Sequence, residues 1–140
     1  MRSFICTVVG LIGSTLSYLL GGWDTAIVGL CVFMLIDLVT GVSVALIFHR
    51  SPKNTNGKVE SKQFLKGVVK KITILTLVGV AHVLDMVLTT DFIRTAVVIT
   101  FIANETISII ENAGLMGIPI PSALKNALEL LTKKEEQNNE

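Results

Sequence analysis

Four apolar runs of bilayer length constrain this chain more than any other feature it has. A helix needs about 20 apolar residues to cross a hydrocarbon core. The first run spans roughly Phe4 to Gly21 and carries no charge. The second, Thr25 to Phe48, holds Asp37 alone near its middle. The third, Gly67 to Thr89, has His82 and Asp85 near its far end, and the fourth, Phe92 to Ala113, is rich in polar side chains. Of the 140 residues, 51% are hydrophobic and 16% charged, against about 25% charged in soluble domains. The charges crowd between His49 and Lys71 and after Lys125. Lipid leaves no water for unpaired backbone groups, so such runs form helices. The expected fold is an all-α integral membrane protein with three to four transmembrane helices, four preferred, and a short C-terminal amphipathic helix. Three spans remain if the first run lies on the membrane surface.

Cations set the expected orientation. Arg50, Lys53, Lys58, Lys62, Lys66, Lys70 and Lys71 fall in the segment between runs two and three, opposed only by Glu60. The positive-inside rule places this basic loop, residues 49–71, in the cytoplasm. Arg2 precedes run one, and Lys125, Lys133 and Lys134 follow run four. Four spans put both termini on the same side as the loop. The connections "GGWD" and "LTTD" then face outward, with Trp23 as an interfacial anchor. Residues 1–121 make the transmembrane domain. "GLMGIPIP" stops the fourth helix, and residues 122–140 make a cytoplasmic amphipathic helix with Leu124, Ala127, Leu128 and Leu131 on one side, ending in a charged tail.

Run one begins like a signal peptide, but Gly10, Gly13, Ser14, Ser17 and Gly21 interrupt it and no Ala-x-Ala-type site closes it. Gly10, Ser14, Ser17 and Gly21 share one helical stripe. Small stripes let membrane helices approach closely, so these four are the expected helix-packing residues. Cys6 and Cys31 sit in apolar runs and read as small hydrophobes.

The fourth run poses the chemical question. At 100° per residue, Arg94, Thr100, Asn104, Glu105, Ser108, Glu111 and Asn112 fall within an arc of about 140°. Intramembrane charges cost about 2.5–3.5 kcal/mol each on insertion scales and so face protein or water. Runs three and four, joined by a short turn near Thr90, form an antiparallel hairpin. Lys70 is then level with Glu111, with Lys71 close by, and Asp85 lies within about two turns of Arg94 by depth, so both ends of the hairpin offer an opposite-charge pair. Glu105 comes level with Thr76, and Asp37 has no evident partner. Internal pairing is therefore the reading for Glu111, while Asp37 and Glu105 are open to a pore-facing or subunit-facing role.

Other chemistries find little support. His82 and Asp85 lie three apart and can hydrogen-bond; a satisfied polar pair is the plainer reading than a proton relay. A metal site fails because His49 is the only other histidine and tight sites need three or four convergent ligands. There is no Gly-x-Gly-x-x-Gly, Gly-x-Ser-x-Gly or His-Glu-x-x-His, and no cofactor is implied. The basic loop lacks the interleaved aromatics of a nucleic-acid platform; topology and contact with anionic lipid explain it.

"GGWDTAIVGLCVFMLIDLVTGV", "FLKGVVKKITIL" and "IRTAVVITFIANETISIIENAGLMGIPIPSALKNAL" together resemble the small phage lysis holins that include the clostridial toxin-secretion holins. The most specific parts are Asp37-x-x-Thr40-Gly41, Lys70-Lys71, Ala103-Asn104-Glu105 with Ser108 and Glu111-Asn112, and Gly117-x-Pro119-x-Pro121. The resemblance covers nearly everything after the first dozen residues. It implies a protein that accumulates in the bacterial cytoplasmic membrane, homo-oligomerises among the lipids, and opens a pore or lesion. A cytoplasmic endolysin or a large signal-less toxin then passes outward. Asp37, Thr40, Asn104, Glu105, Ser108, Glu111 and Asn112 are the expected pore lining or subunit contact. The alternatives are a small ion-coupled transporter or channel, although run one lacks the coupling carboxylate expected there, and an antiholin regulating another holin.

Overall fold

The computed structural model describes residues 1–47 and 57–138, without the side chains of 57–60, 131, 132, 134–136 and 138. His49, Arg50, Lys53 and the side chains of Lys58, Glu60, Leu131 and Lys134 lie outside the described residues. Five helices follow in order: α1 (Arg2–Leu20), α2 (Thr25–Leu46), α3 (Gly57–Leu88), α4 (Ile93–Leu115) and α5 (Ser122–Asn138). The first four are long and apolar enough to cross a membrane. No strand occurs among the described residues.

Local chemistry punctuates the chain. Gly21 ends α1 at φ 78°, with its N–H and that of Gly22 returning to carbonyls of the last turn, a left-handed cap that glycine adopts without a Cβ clash. Its lack of a Cβ is needed twice over: an added one would sit 2.6 Å from His82 Nδ1 and 2.9 Å from Arg94 Nε. Asp24 caps α2 by accepting from the Ile27 N–H at 2.9 Å, as an N-cap acid does. Thr89 takes φ 57° to turn α3 back into α4. Beyond Leu115, the chain turns at Gly117 (φ 79°), and the Ile118 N–H closes onto the Ala113 carbonyl at 3.0 Å. Pro119 and Pro121 then prevent continuation.

The basic segment is not all loop. Residues 57–71 already belong to α3, whose 32 residues make a rod of about 48 Å against a hydrocarbon core of about 30 Å. The third helix therefore begins well before the apolar run, and carries Lys62, Lys66, Lys70 and Lys71 on its own backbone.

Packing centres on α4, which lies closely along α2 and also packs on α3, while α2 and α3 touch each other. α2 meets α4 at Gly41, where a Cβ would make an ordinary van der Waals contact with Asn112 Nδ2 at 3.7 Å. The core joins Leu20, Ile27, Leu30, Met34, Ile74, Val78 and Val98, with Cys31 packed at its edge. Large apolar side chains cover the outside, among them Leu35 and Leu65, both 61% exposed, and Val87, 72% exposed. A contiguous apolar coat of this kind marks a surface made for lipid or protein rather than water.

Candidate functional site

An ionic cluster lies inside the bundle, near the middle of α2, α3 and α4. Lys71 Nζ donates to Asp37 Oδ2 at 2.7 Å and to Glu105 Oε2 at 2.5 Å. One ammonium on α3 thus ties a carboxylate on α2 to a carboxylate on α4. The Glu105 side chain is only 1% exposed, and those of Lys71 and Asp37 are 12% and 15% exposed. Asn112 extends the network: its Nδ2 donates to Thr40 Oγ1 at 3.0 Å and to Asp37 Oδ1 at 3.3 Å. Thr40 in turn donates to the Asp37 carbonyl at 3.1 Å. Buried charge is tolerable only when paired and hydrogen-bonded, and these contacts meet that condition except at Glu105 Oε1, which is buried without a protein partner.

This differs from the hairpin register expected from the turn. Lys70 and Glu111 are both exposed and no ion pair joins them; Lys71 is the lysine that turns inward. Asp37 and Glu105, which had no partner in that register, share it. In the symmetrical register Lys71 lies about five residues, roughly 7.5 Å, from the level of Glu105, a distance the long lysine stem spans along apolar surface before its head meets the acids.

The polar arc of α4 splits in two. Arg94, Glu105, Ser108 and Asn112 fall within about 60° and turn toward the other helices. Asn104 and Glu111, on the far side of the arc, are exposed. An arc of about 140° is too wide to face a single neighbour. Of the expected lining residues, Asp37, Thr40, Glu105, Ser108 and Asn112 are brought together; Asn104 and Glu111 are not. Thr100 returns its hydroxyl to the Ala96 carbonyl at 2.9 Å.

The α3–α4 turn, where it meets the α1–α2 connection, holds a second polar lock. Asp85, 7% exposed, accepts from the backbone N–H groups of Ile93 (3.1 Å) and Arg94 (2.8 Å) and from Thr90 Oγ1 (2.6 Å). It therefore caps α4 across the turn and does not pair with the Arg94 guanidinium. That guanidinium reaches instead to Asp24 Oδ2 (2.7 Å), the Leu20 carbonyl (2.5 Å) and the Gly22 carbonyl (3.3 Å). The hydrogen bond from Arg94, joined by the Ile27 N–H, holds the Asp24 carboxyl below its ordinary range against the opposing effect of burial. Asp24 was the residue least legible beforehand: "GGWD" read as an outward acid and a topology mark. Its position before an apolar run was a helix-start signal, and the four-span topology puts it at the same end as Arg94.

The stripe on α1 divides similarly. Gly21 is pressed against His82 and Arg94, and Ser17 is half-buried, but Ser14 is exposed and Gly10 has nothing within 4 Å of a Cβ position. A cleft of about 520 Å³ opens between α2 and α3. Leu38, Val42, Leu46 and Phe64 wall it, and Asp37, Lys71, Ser108 and Asn112 reach its floor. No group of three or more His, Cys, Asp or Glu suited to a metal ion occurs among the described residues.

Among the relatives that cover most of the chain, three serve as examples. An uncharacterised protein of Halalkalibacterium halodurans is 33% identical over 96% of this chain and 98% of its own length. An uncharacterised protein of Listeria monocytogenes is 35% identical over 91% of this chain and 86% of its own. An uncharacterised 14.9 kDa protein in the nagH 3′ region of Clostridium perfringens is 35% identical over 89% of each. No solved structure matches. The bacteriophage holin family matches residues 14–133, which takes in every element of the ionic cluster, so the chain belongs to the bacteriophage holin family.

Proposed function

We propose that this protein is a holin that homo-oligomerises in the bacterial cytoplasmic membrane and opens a pore or lesion. A cytoplasmic endolysin, or a toxin lacking a signal peptide, is the cargo. The family match over residues 14–133 carries this reading; the split polar arc of α4 supplies the physics. Asn104 and Glu111 remain exposed on a helix of membrane length. Polar groups set toward lipid are costly, so they favour a second subunit or water. The Lys71 cluster provides the complementary part: closed, it satisfies the inward charges of one protomer; opened, it presents Asp37, Glu105 and Lys71 to water. Membrane states that differ in this way are populated according to what each surface meets. In this reading both termini and the basic segment ahead of the buried Lys71 are cytoplasmic, as the cation bias suggests, and anionic lipid attracts Lys62 and Lys66 in the first turns of α3.

The test is induced expression in a bacterium. Growth should stop abruptly and the membrane potential collapse, and coexpression with a cytoplasmic wall hydrolase should add lysis. Unchanged growth and potential at verified membrane expression would replace this reading with that of an antiholin.

A further inference from the structure

Among the described residues, the cleft between α2 and α3 and the N-terminal half of α1 are two unpartnered surfaces at one depth. Below its anchor at Leu20–Gly22, α1 stands off the described part of its bundle: Phe4 is 73% and Val9 63% exposed, and a Cβ added at Gly10 or Gly13 would meet nothing within 4 Å. α1 and α3 run parallel. The Leu19 carbonyl lies beside Gly79, and Gly21 beside His82, so level residues differ by about 60 in number. Phe4 is then level with Phe64, Thr7 with Gly67, and Leu11 with Lys71. The loose half of α1 thus spans the same depth as the cleft.

The two surfaces also match in kind. The cleft presents Gly41 and Ala45 from α2 and Gly67 from α3, small residues that admit a fourth helix closely. On α1, Ser3, Thr7, Gly10 and Ser14 fall within an arc of about 60°. Thr7 and Ser14 now donate to carbonyls of their own helix, which leaves their oxygens able to accept from Lys71 on the cleft floor, whose ammonium has one N–H left after Asp37 and Glu105.

We propose that the N-terminal half of α1 from one protomer docks in the α2–α3 cleft of the next. Such a contact joins two different patches, so it is heterologous and propagates into rings or open arrays rather than stopping at a dimer. This rests on the holin reading and names the contact by which the lesion is built.

Disulfide trapping in native membranes tests it, in a Cys6→Ser, Cys31→Ala background. Thr7→Cys and Gly67→Cys are placed on separately tagged chains, alone, together, and both on one chain; Phe4→Cys with Phe64→Cys is an independent second pair. After oxidation with copper phenanthroline, coexpressed single-cysteine chains should give a mixed dimer, and the chain bearing both should give a ladder of dimers, trimers and larger species. Each single-cysteine chain alone should remain monomeric. An internal disulfide would show α1 closing into its own cleft and overturn the proposal. So would a Thr7→Cys chain that dimerises with itself, or the absence of any product from either pair. Growth arrest and potential collapse are read on the same cells: collapse without a ladder rejects this contact alone, and a ladder without collapse rejects the holin reading alone.

Discussion

Lys71 is the residue on which the buried charges of this molecule depend. It is the partner of both Asp37 and Glu105, so Lys71→Met should leave two carboxylates uncompensated. Breaking a buried pair by removing one partner costs about 3–5 kcal/mol; the expected outcome is a large loss of membrane accumulation and of unfolding stability in micelles. Glu105→Gln should act differently. It leaves Asp37 and Lys71 balanced, and the amide oxygen still accepts from Lys71, so accumulation should hold while lysis onset shifts if the charge matters in the opened assembly. Wild-type onset at equal abundance would count against that role. Glu111→Gln, on an exposed side chain, should change stability by no more than about 0.5 kcal/mol, measured alongside. Asp24 offers a pH test. Its folded carboxyl is held below the ordinary value by Arg94, so its contribution is complete above the unfolded pKa and is lost as pH falls through the lower folded one. With its side chain 48% exposed, the effect stays under about 1 kcal/mol. The stability gap between wild type and Asp24→Asn should be flat from about pH 5 to 8 and close below about pH 4.

At the scale of elements, the turn between α3 and α4 is held by one carboxylate rather than by an ion pair. Asp85 satisfies two of the orphan N–H groups that begin α4, and such groups are otherwise unpartnered at every helix start. Asp85→Ala should therefore destabilise the hairpin by about 2 kcal/mol, the upper end for a lost cap because the site is buried. Gly21→Ala should loosen the other connection. The left-handed φ alone costs about 1–2 kcal/mol for a residue with a Cβ, and the added methyl would press on His82 and Arg94. Protease sensitivity of the α1–α2 connection in detergent is the measurement, with increased cleavage near Trp23 expected.

For the whole molecule, the arrangement is a bundle of α2, α3 and α4 with a first helix secured at one end. Cysteine labelling should distinguish its two faces: Trp23→Cys should react from outside intact cells and Asn56→Cys should not, as the cation distribution requires. Four helices, their breaks at Gly21, Thr89 and Gly117, and the amphipathic α5 were legible in the chain because each depends on a short window. About 20 consecutive apolar residues suffice to identify a span, and glycine, proline and capping acids act within a turn. The site was legible only as a set of residue types. Successive residues on a helix differ by 100° in direction, so choosing between Lys70 and Lys71, or between Glu105 and Glu111, requires knowing how each helix is rotated against its neighbours. That rotation follows from packing between distant segments: Gly41 against Asn112, Asp85 over the start of α4, Arg94 onto Leu20 and Asp24. Tertiary structure alone decided which half of the polar arc is buried, which lysine is shared by two acids, and where α1 parts from its bundle.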